Sequence, residues 1–366
     1  MPRVRAAAPS IADRRLVAQR FFDKRPLSPA GLVAWFGAVQ AQDYAGASWA
    51  LGQRAPGTTR ADVDAALTSG AILRTHVLRP TWHFVAPADI RWMLALTAPR
   101  VKRILAPYDR SLEIDATLLR RTRTVLTKLL RGQQLTRAEI GTGLALAGIA
   151  AKGQRLGHLV SHAELDALIC SGGLRGKQFT YALLEERAPP AAKFTRDESL
   201  GALARRYFTS HGPATLADFA WWSGLTQADG RRAVEIAGAH FTQETIGERT
   251  YWFGDVPPGV RPTGPLVRLT PNYDELFIAY EHRDAALHPR FTGPAPGSNI
   301  LFAHLVTLDG QFIGGWKRTI GAKKATVAVQ LAAPVSASER RALAQAARSY
   351  AAFLGLPVLV QRLPSE

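Results

Sequence analysis

Three stretches of this chain open in the same way. They read TRADV from Thr59, TRAEI from Thr136 and TLADF from Thr215, each a Thr-x-Ala-acid-apolar pattern. A threonine hydroxyl can accept from the amide three residues on, and the acid there can accept in return. The acid also suits the positive end of the helix dipole. Each stretch therefore predicts a capped helix start, and the starts are 77 and 79 residues apart. A paired run of strand-forming residues follows each start: SGAILRTHVLRPTWHFV (69–85), SGGLRGKQFTYALL (171–184) and GAHFTQETIGERTYWF (238–253). Arg79-Pro80, Gly176-Lys177 and Gly247-Glu248 are placed near the hairpin tips. In the first unit an additional helix lies upstream, in LSPAGLVAWFGAVQA. Ser28 is its cap, Pro29 lies in its first turn, and Leu32, Trp35, Phe36 and Val39 share one face.

Helices followed by a β-hairpin are the pattern of a winged helix-turn-helix, and three at near-constant spacing argue for a tandem array. The expected fold is mainly α with β-hairpin wings. Winged-helix units are expected over 13–88, 131–187 and 196–254, with a basic helical linker over 89–130. The Pro- and Gly-rich segment GDVPPGVRPTGP (254–265) marks a boundary. Beyond it, 264–366 reads as an α+β module. Asp309-Gly310 signals a hairpin, Gly321 to Lys324 a second, basic turn, and Ser336 to Glu339 a capping box ahead of a helix that stops at Gly355.

Charge narrows the partner. The 366 residues hold 46 Lys and Arg against 29 Asp and Glu, a formal net charge of +17. Such an excess points to a polyanion, with nucleic acid ahead of an anionic membrane surface; a basic soluble enzyme without such a partner is the bland alternative. The single cysteine, Cys170, forms no internal disulfide or cysteine metal cage and fits a reducing compartment. No apolar run approaches the ~20 residues that span a bilayer, and the basic start lacks a signal-peptide core. A cytoplasmic monomer with no membrane contact and no required protein partner is expected.

Several chemistries find no support. SGGLRGKQ has Ser171 where a phosphate loop needs its first glycine, and GTGLAL (141–146) has Leu146 in place of the third dinucleotide-binding glycine. There is no Gly-x-Ser-x-Gly elbow. His158 and His162 lie four apart without a clear third ligand, so neither a metal nor a cofactor is expected.

What remains is AVQAQDYAG (38–46), with Gln40 and Gln42 one residue apart. On a regular helix such side chains point about 200° apart. They converge only if the helix ends between them or the stretch is extended. Two converging carboxamides can hold one water by its protons and aim its lone pair. They cannot deprotonate it strongly. That suffices when the leaving group is already activated, as in a purine alkylated at N7 or N3. Its positive charge lets the glycosidic bond break toward an oxocarbenium-like sugar.

The order of these parts resembles the winged-helix DNA glycosylases of the AlkZ and YcaQ type, which carry a Gln-x-Gln or Gln-x-Asp motif early in the chain. VQAQD matches the Gln-x-Gln branch. LRTHVLRPTWHFV (73–85), PNYDELFIAYEHR (271–283) and LDGQFIGGWKRT (308–319) agree in character, so the resemblance covers nearly the whole chain. It implies a C-shaped scaffold around a basic cleft. It also implies a monofunctional enzyme that releases N-alkylated purines from double-stranded DNA, with interstrand crosslinks a further substrate class. Gln40 and Gln42 would be catalytic. Arg74, Arg79, Lys317, Arg318, Lys323 and Lys324 are candidates for phosphate contacts. His76, His83 and Trp316 are candidates beside the glutamines or in a groove. Tyr273, Asp274 and Arg283 match the later motif as supporting residues; a buried Asp274–Arg283 pair that only locks the fold is the bland alternative. The competing reading is a non-catalytic winged-helix DNA binder or regulator.

Overall fold

The computed structural model describes residues 9–23, 25–191, 193–256, 259, 261, 263–291, 298–332 and 334–362. Parts of the 254–265 boundary and the last four residues of the chain lie outside them. The first group of elements is α1 (Ile11–Ala18), α2 (Pro29–Phe36), β1 (Ala38–Gln40), α3 (Tyr44–Arg54), α4 (Arg60–Ser69), β2 (Leu73–His76) and β3 (Trp82–Val85). Thr59 caps α4 with the reciprocal bonds its sequence implied. The helix beginning at Ser28 is shorter than its apolar face suggested. It stops at Phe36, because Gly37 takes φ +81°, a region open mainly to glycine. The chain then continues as a strand, so Val39 packs from β1, not from the helix. The three strands form one antiparallel sheet in the order β1-β3-β2.

Two helices occupy the basic segment, α5 (Ile90–Ser111) and α6 (Ala116–Leu130). They serve different cores. Trp92, Met93, Leu96 and Val101 of α5 pack with the third group of helices. Leu126 and Leu130 of α6 pack instead with the second group. That group is β4 (Leu135–Thr136), α7 (Arg137–Leu146), α8 (Gly153–Leu165), β5 (Ile169–Arg175), β6 (Gln178–Leu183) and the short α9 (Leu184–Arg187). A linker defined by charge thus divides by burial, since each amphipathic helix joins whichever apolar surface covers its stripe.

The third group is α10 (Arg196–His211), α11 (Leu216–Ser223), α12 (Gln227–Ala237), β7 (Thr242–Ile246) and β8 (Arg249–Phe253). Capping boxes at Thr136 and Thr215 open α7 and α11. The hairpins turn at Gly176-Lys177 and Gly247-Glu248. The last group is β9 (Val267–Thr270), the single-turn α13 (Glu275–Ile278), β10 (Leu305–Leu308), β11 (Gln311–Ile320), β12 (Ala325–Leu331), α14 (Ala337–Leu354) and β13 (Val358–Arg362). Its sheet runs β13-β12-β11-β10-β9 and turns at Asp309-Gly310.

The last group does not have a core of its own. Trp316, Tyr350 and Phe353 share one apolar cluster with Phe36, Trp49 and Leu51. Contact between α3 and α14 is close enough that a Cβ on Gly52 would come within 2.5 Å of the Phe353 ring. Trp49 meets Tyr350 and Phe353 at ring-centroid distances of 4.9 and 5.1 Å. Burying such side chains contributes roughly 1.5–3 kcal/mol each.

A buried ion pair fastens the same seam. Arg54 donates to both carboxylate oxygens of Asp274, at 3.0 and 2.7 Å, and to Gln19 at 2.6 Å. The guanidinium also lies 4.3 Å above the Phe21 ring. The bland reading of the later motif paired Asp274 with Arg283. Arg283 instead donates to the carbonyl oxygens of Phe277 and Glu281 and stacks on Trp221. Replacing Arg54 with Met should cost about 3 kcal/mol, because the Asp274 carboxylate is left buried and unpaired. The Arg54→Met/Asp274→Asn double variant should lose less than the sum of the two singles. Urea midpoints measure both; a loss below about 1 kcal/mol for Arg54→Met would show the pair to be of little weight.

Candidate active site

The first hairpin contacts both glutamines. Gln40 closes β1 and pairs with His83 of β3, and Gln42 lies two residues beyond the end of the strand, in a bend. Gln40 is 4% exposed, whereas Gln42 is open to solvent. The Thr81 hydroxyl donates to Gln40 Oε1 at 3.2 Å, and the Trp82 amide donates to Gln42 Oε1 at 3.3 Å. Both carboxamide oxygens therefore lean on two consecutive residues of the first hairpin. Each oxygen has two lone pairs, so one acceptor site on each remains.

The backbone of the motif is held as tightly. The Gln40 amide donates to Glu275 Oε1 at 2.8 Å. The Ala41 amide donates to the Trp82 carbonyl at 2.8 Å, and the Ala41 carbonyl accepts from Arg74 Nε at 3.1 Å. Asp43 caps α3 by accepting from the Gly46 amide at 3.1 Å, and its other oxygen pairs with Arg318 of β11 at 2.7 Å. Glu275 is 1% exposed and meets Trp222 Nε1 at 3.1 Å and His211 Nε2 at 3.2 Å. Glu275, the first hairpin and Arg318 thus fix residues 40–43.

The surroundings carry little free acid or base. His83 is fully enclosed, and its Nδ1 lies 3.0 Å from the Thr81 carbonyl, which requires a proton on Nδ1. Its Nε2 has no partner among the described residues. Burial, helped by nearby Arg79, holds this imidazole well below the ordinary histidine range. Burial also draws Arg79 down to about 10, against the opposing pull of Glu275.

The other expected site residues divide by exposure. Arg74 is buried, with its guanidinium 4.4 Å over Trp82 and 4.7 Å over Phe179, so it faces the interior and not a phosphate. His76 is buried against the Glu164 carboxylate and the Trp82 ring. Arg79 is half-buried at the hairpin loop. Trp316 is 3% exposed and donates to the Thr270 carbonyl at 2.9 Å, which makes it core and not a groove wedge. Lys317, Lys323 and Lys324 are exposed along β11 and its turn, and Arg318 is half-buried on Asp43. Tyr273 takes φ +57° and packs edge-on to Phe302 at 5.6 Å. His158 and His162 both meet Asp109, at 3.1 and 2.9 Å, and no group that could hold a metal ion occurs among the described residues. Sequence reasoning did not find Thr81, Glu275 or Arg54. Glu275 lay inside a quoted motif, but its contact with Gln40 spans 235 positions and left no local signal.

The sequence profile of the family described as DNA glycosylase AlkZ-like matches residues 33–353. The chain belongs to this family. It is therefore a DNA glycosylase, and the reading as a non-catalytic DNA binder falls. Two findings from Streptomyces sahachiroi accompany the match. A protein named interstrand DNA cross-link repair glycosylase is 22% identical over 299 residues, which are 76% of this chain and 79% of that protein. The solved structure of DNA glycosylase AlkZ superposes with a TM-score of 0.77 at 19% identity, covering 96% of this chain and 98% of that one. At that identity the likeness shows the fold. No helix among the described residues is long and apolar enough to cross a membrane.

Three histidines of this glycosylase should make its stability pH-dependent. Burial lowers His83, His211 and His304, the last to about 4. His304 Nδ1 also accepts the Asn272 amide at 2.8 Å, a bond that protonation at Nδ1 would break. In the unfolded chain histidines protonate near pH 6.5. Below that pH the unfolded state binds more protons, so stability is present above about 6.5 and is lost as pH falls toward 4. Urea midpoints at pH 7 and pH 5 should show the loss, and His304→Gln should reduce it; equal pH dependence in that variant would exclude His304 as a contributor.

Proposed function

We propose that this DNA glycosylase is monofunctional and hydrolyses the N-glycosidic bond of cationic N-alkylated purines, of the N7-alkylguanine and N3-alkyladenine classes. The observation that supports the reading is that the Gln40 and Gln42 carboxamide oxygens accept from the adjacent residues Thr81 and Trp82. Held there, the two oxygens accept the protons of one water and direct its lone pair at the sugar. They also face the oxocarbenium-like carbon with partial negative charge. No strong base is needed, because the base leaves on its own positive charge. Undamaged purines are poorer leaving groups and are spared.

The name of the Streptomyces sahachiroi relative extends the substrate class to interstrand crosslinks. A crosslink through alkylated purine nitrogens carries the same activating charge at each attachment. The helix-hairpin groups at 13–88, 131–187 and 196–254 serve, on this reading, as tandem winged-helix units around a basic cleft in a C-shaped scaffold. The module at 264–366 contributes the lysine-bearing hairpin to the DNA side. The exposure of Lys317, Lys323 and Lys324 supports that assignment, as does the Arg318–Asp43 pair, which ties the hairpin strand to the glutamine motif. Tyr273 and Arg283 support the fold around Asp274 rather than contacting DNA.

Excision from N7-methylguanine DNA, read as strand cleavage at the abasic site, tests the substrate class. Gln40→Ala and Gln42→Ala should each lower single-turnover excision by roughly 10²-fold, with DNA affinity nearly unchanged. Wild-type rates in both variants would remove the glutamines from the chemistry. Neutralising Lys317, Lys323 and Lys324 to Gln should instead weaken binding to any duplex. The slope of log affinity against log salt should shrink by about 1 for each lysine that meets a phosphate. An unchanged slope would place DNA elsewhere.

A further inference from the structure

A cavity lies away from the glutamines, at the far end of α3. It has a volume of about 210 Å³ and is walled by α3, β9 and α14. Trp49 and Phe353 form apolar walls, Thr58 and Ser349 add hydroxyls, and Gln53 and Arg268 complete the polar side. Two groups there are unsatisfied. Gln53 is 6% exposed, and neither its amide nitrogen nor its oxygen has a partner among the described residues. Arg268 is half-buried, forms no ion pair among them, and has an enclosed Nε without an acceptor. Neighbouring Arg54 has its acid in Asp274; Arg268 has none. Burial first, then the Arg54 charge, draws Arg268 down to about 10, so it still carries its charge at neutral pH.

An unpaired guanidinium and an unpartnered carboxamide are each costly inside a protein. Water can satisfy the carboxamide but cannot neutralise the cation. One ligand removes both costs if it is an oxyanion, because a guanidinium and an amide N–H both donate to oxygen. The apolar walls then select an oxyanion with a short hydrocarbon part.

We propose that the Gln53–Arg268 cavity is a binding site for a small organic oxyanion, a carboxylate or phosphate monoester with an apolar tail. A DNA backbone phosphate offers the same charge but does not fit the location. Gln53 lies about 14 Å along α3 from Tyr44, at the helix start that follows the glutamine motif. The cavity is also far too small for a duplex. The site is independent of the excision chemistry, and its failure would leave that chemistry untouched.

Thermal unfolding of the full chain with sodium butyrate and, separately, inorganic phosphate tests the site, with chloride holding ionic strength constant. Butyrate should raise the melting temperature saturably, by ~2 °C or more at high occupancy, and phosphate should act more weakly for want of an apolar tail. Arg268→Met should abolish the response. Gln53→Glu, which places a carboxylate in the same cavity, should raise the melting temperature without ligand and remove the response to butyrate. Excision of N7-methylguanine monitors the integrity of both variants. The proposal is overturned if neither oxyanion gives a saturable rise, if Arg268→Met responds as wild type does, or if Gln53→Glu retains the full response. It is also overturned if undamaged duplex DNA competes with butyrate, since the cavity would then belong to the DNA path.

Discussion

Asp274 and Glu275 are consecutive acids, and the arrangement of this molecule turns on how they are buried. Asp274 takes the Arg54 guanidinium at the end of α3. Glu275 takes the Gln40 amide from the first sheet and the side chains of His211 and Trp222 from the third helical group. One dipeptide therefore links the first unit, the third unit and the terminal sheet. A buried carboxylate is stable only when its lone pairs are filled. Each of these acids has donors from outside its own segment. Loss of any donor leaves charge without compensation, so the segments that supply them are held in a single relative position. The glutamine strand inherits that rigidity, because Glu275 accepts from the backbone of Gln40 itself.

The short motif is correspondingly over-determined. Its three peptide units bond to Glu275, Trp82 and Arg74, and its two side chains rest on Thr81 and Trp82. A carboxamide left to itself rotates and exposes oxygen or nitrogen with nearly equal ease. Donors from the hairpin reduce that freedom and hold each oxygen end against Thr81 or Trp82. Placement, not basicity, is what glutamine can offer a reacting water, and preorganised placement is worth several kcal/mol when no reorganisation is needed at the moment of reaction.

Local chemistry made much of this legible in the sequence. Threonine caps at Thr59, Thr136 and Thr215, the tips at Gly176-Lys177 and Gly247-Glu248, and the Asp309-Gly310 turn all depend on neighbours within a few residues. What failed was long range. Arg54 meets Asp274 across 220 positions and Arg318 meets Asp43 across 275, and nothing near either residue announces its partner. The Asp274–Arg283 pair of the bland reading was the local guess, and burial of Arg54 displaced it. Val39 misled for a different reason. Its apolar spacing suited a helix, but Gly37 ends the helix and β3 captures the next residues as a strand. Arg74 read as a hairpin cation because periodicity reports a strand but not which of its faces an adjacent unit covers. Here β5 packs beside it, and the Arg74 amide donates to the Ser171 hydroxyl at 2.8 Å.

Asp43 shows how a site can stand next to an acid and remain without one. It directly follows Gln42, where a free carboxylate would be a general base and an attraction for any cationic transition state. Its two oxygens are instead taken by the Gly46 amide and by Arg318. The helix end and the guanidinium thus occupy both carboxylate oxygens. His83, paired across the sheet with Gln40, is kept neutral by burial, with its Nδ1 proton spent on the Thr81 carbonyl. On the proposed reading this is the source of selectivity. Each 1.36 kcal/mol of barrier is about a factor of ten in rate. A site that activates water only weakly leaves the whole of that difference to the leaving group. A free base at position 43 would narrow the gap between damaged and normal purines, and binding both its oxygens preserves it.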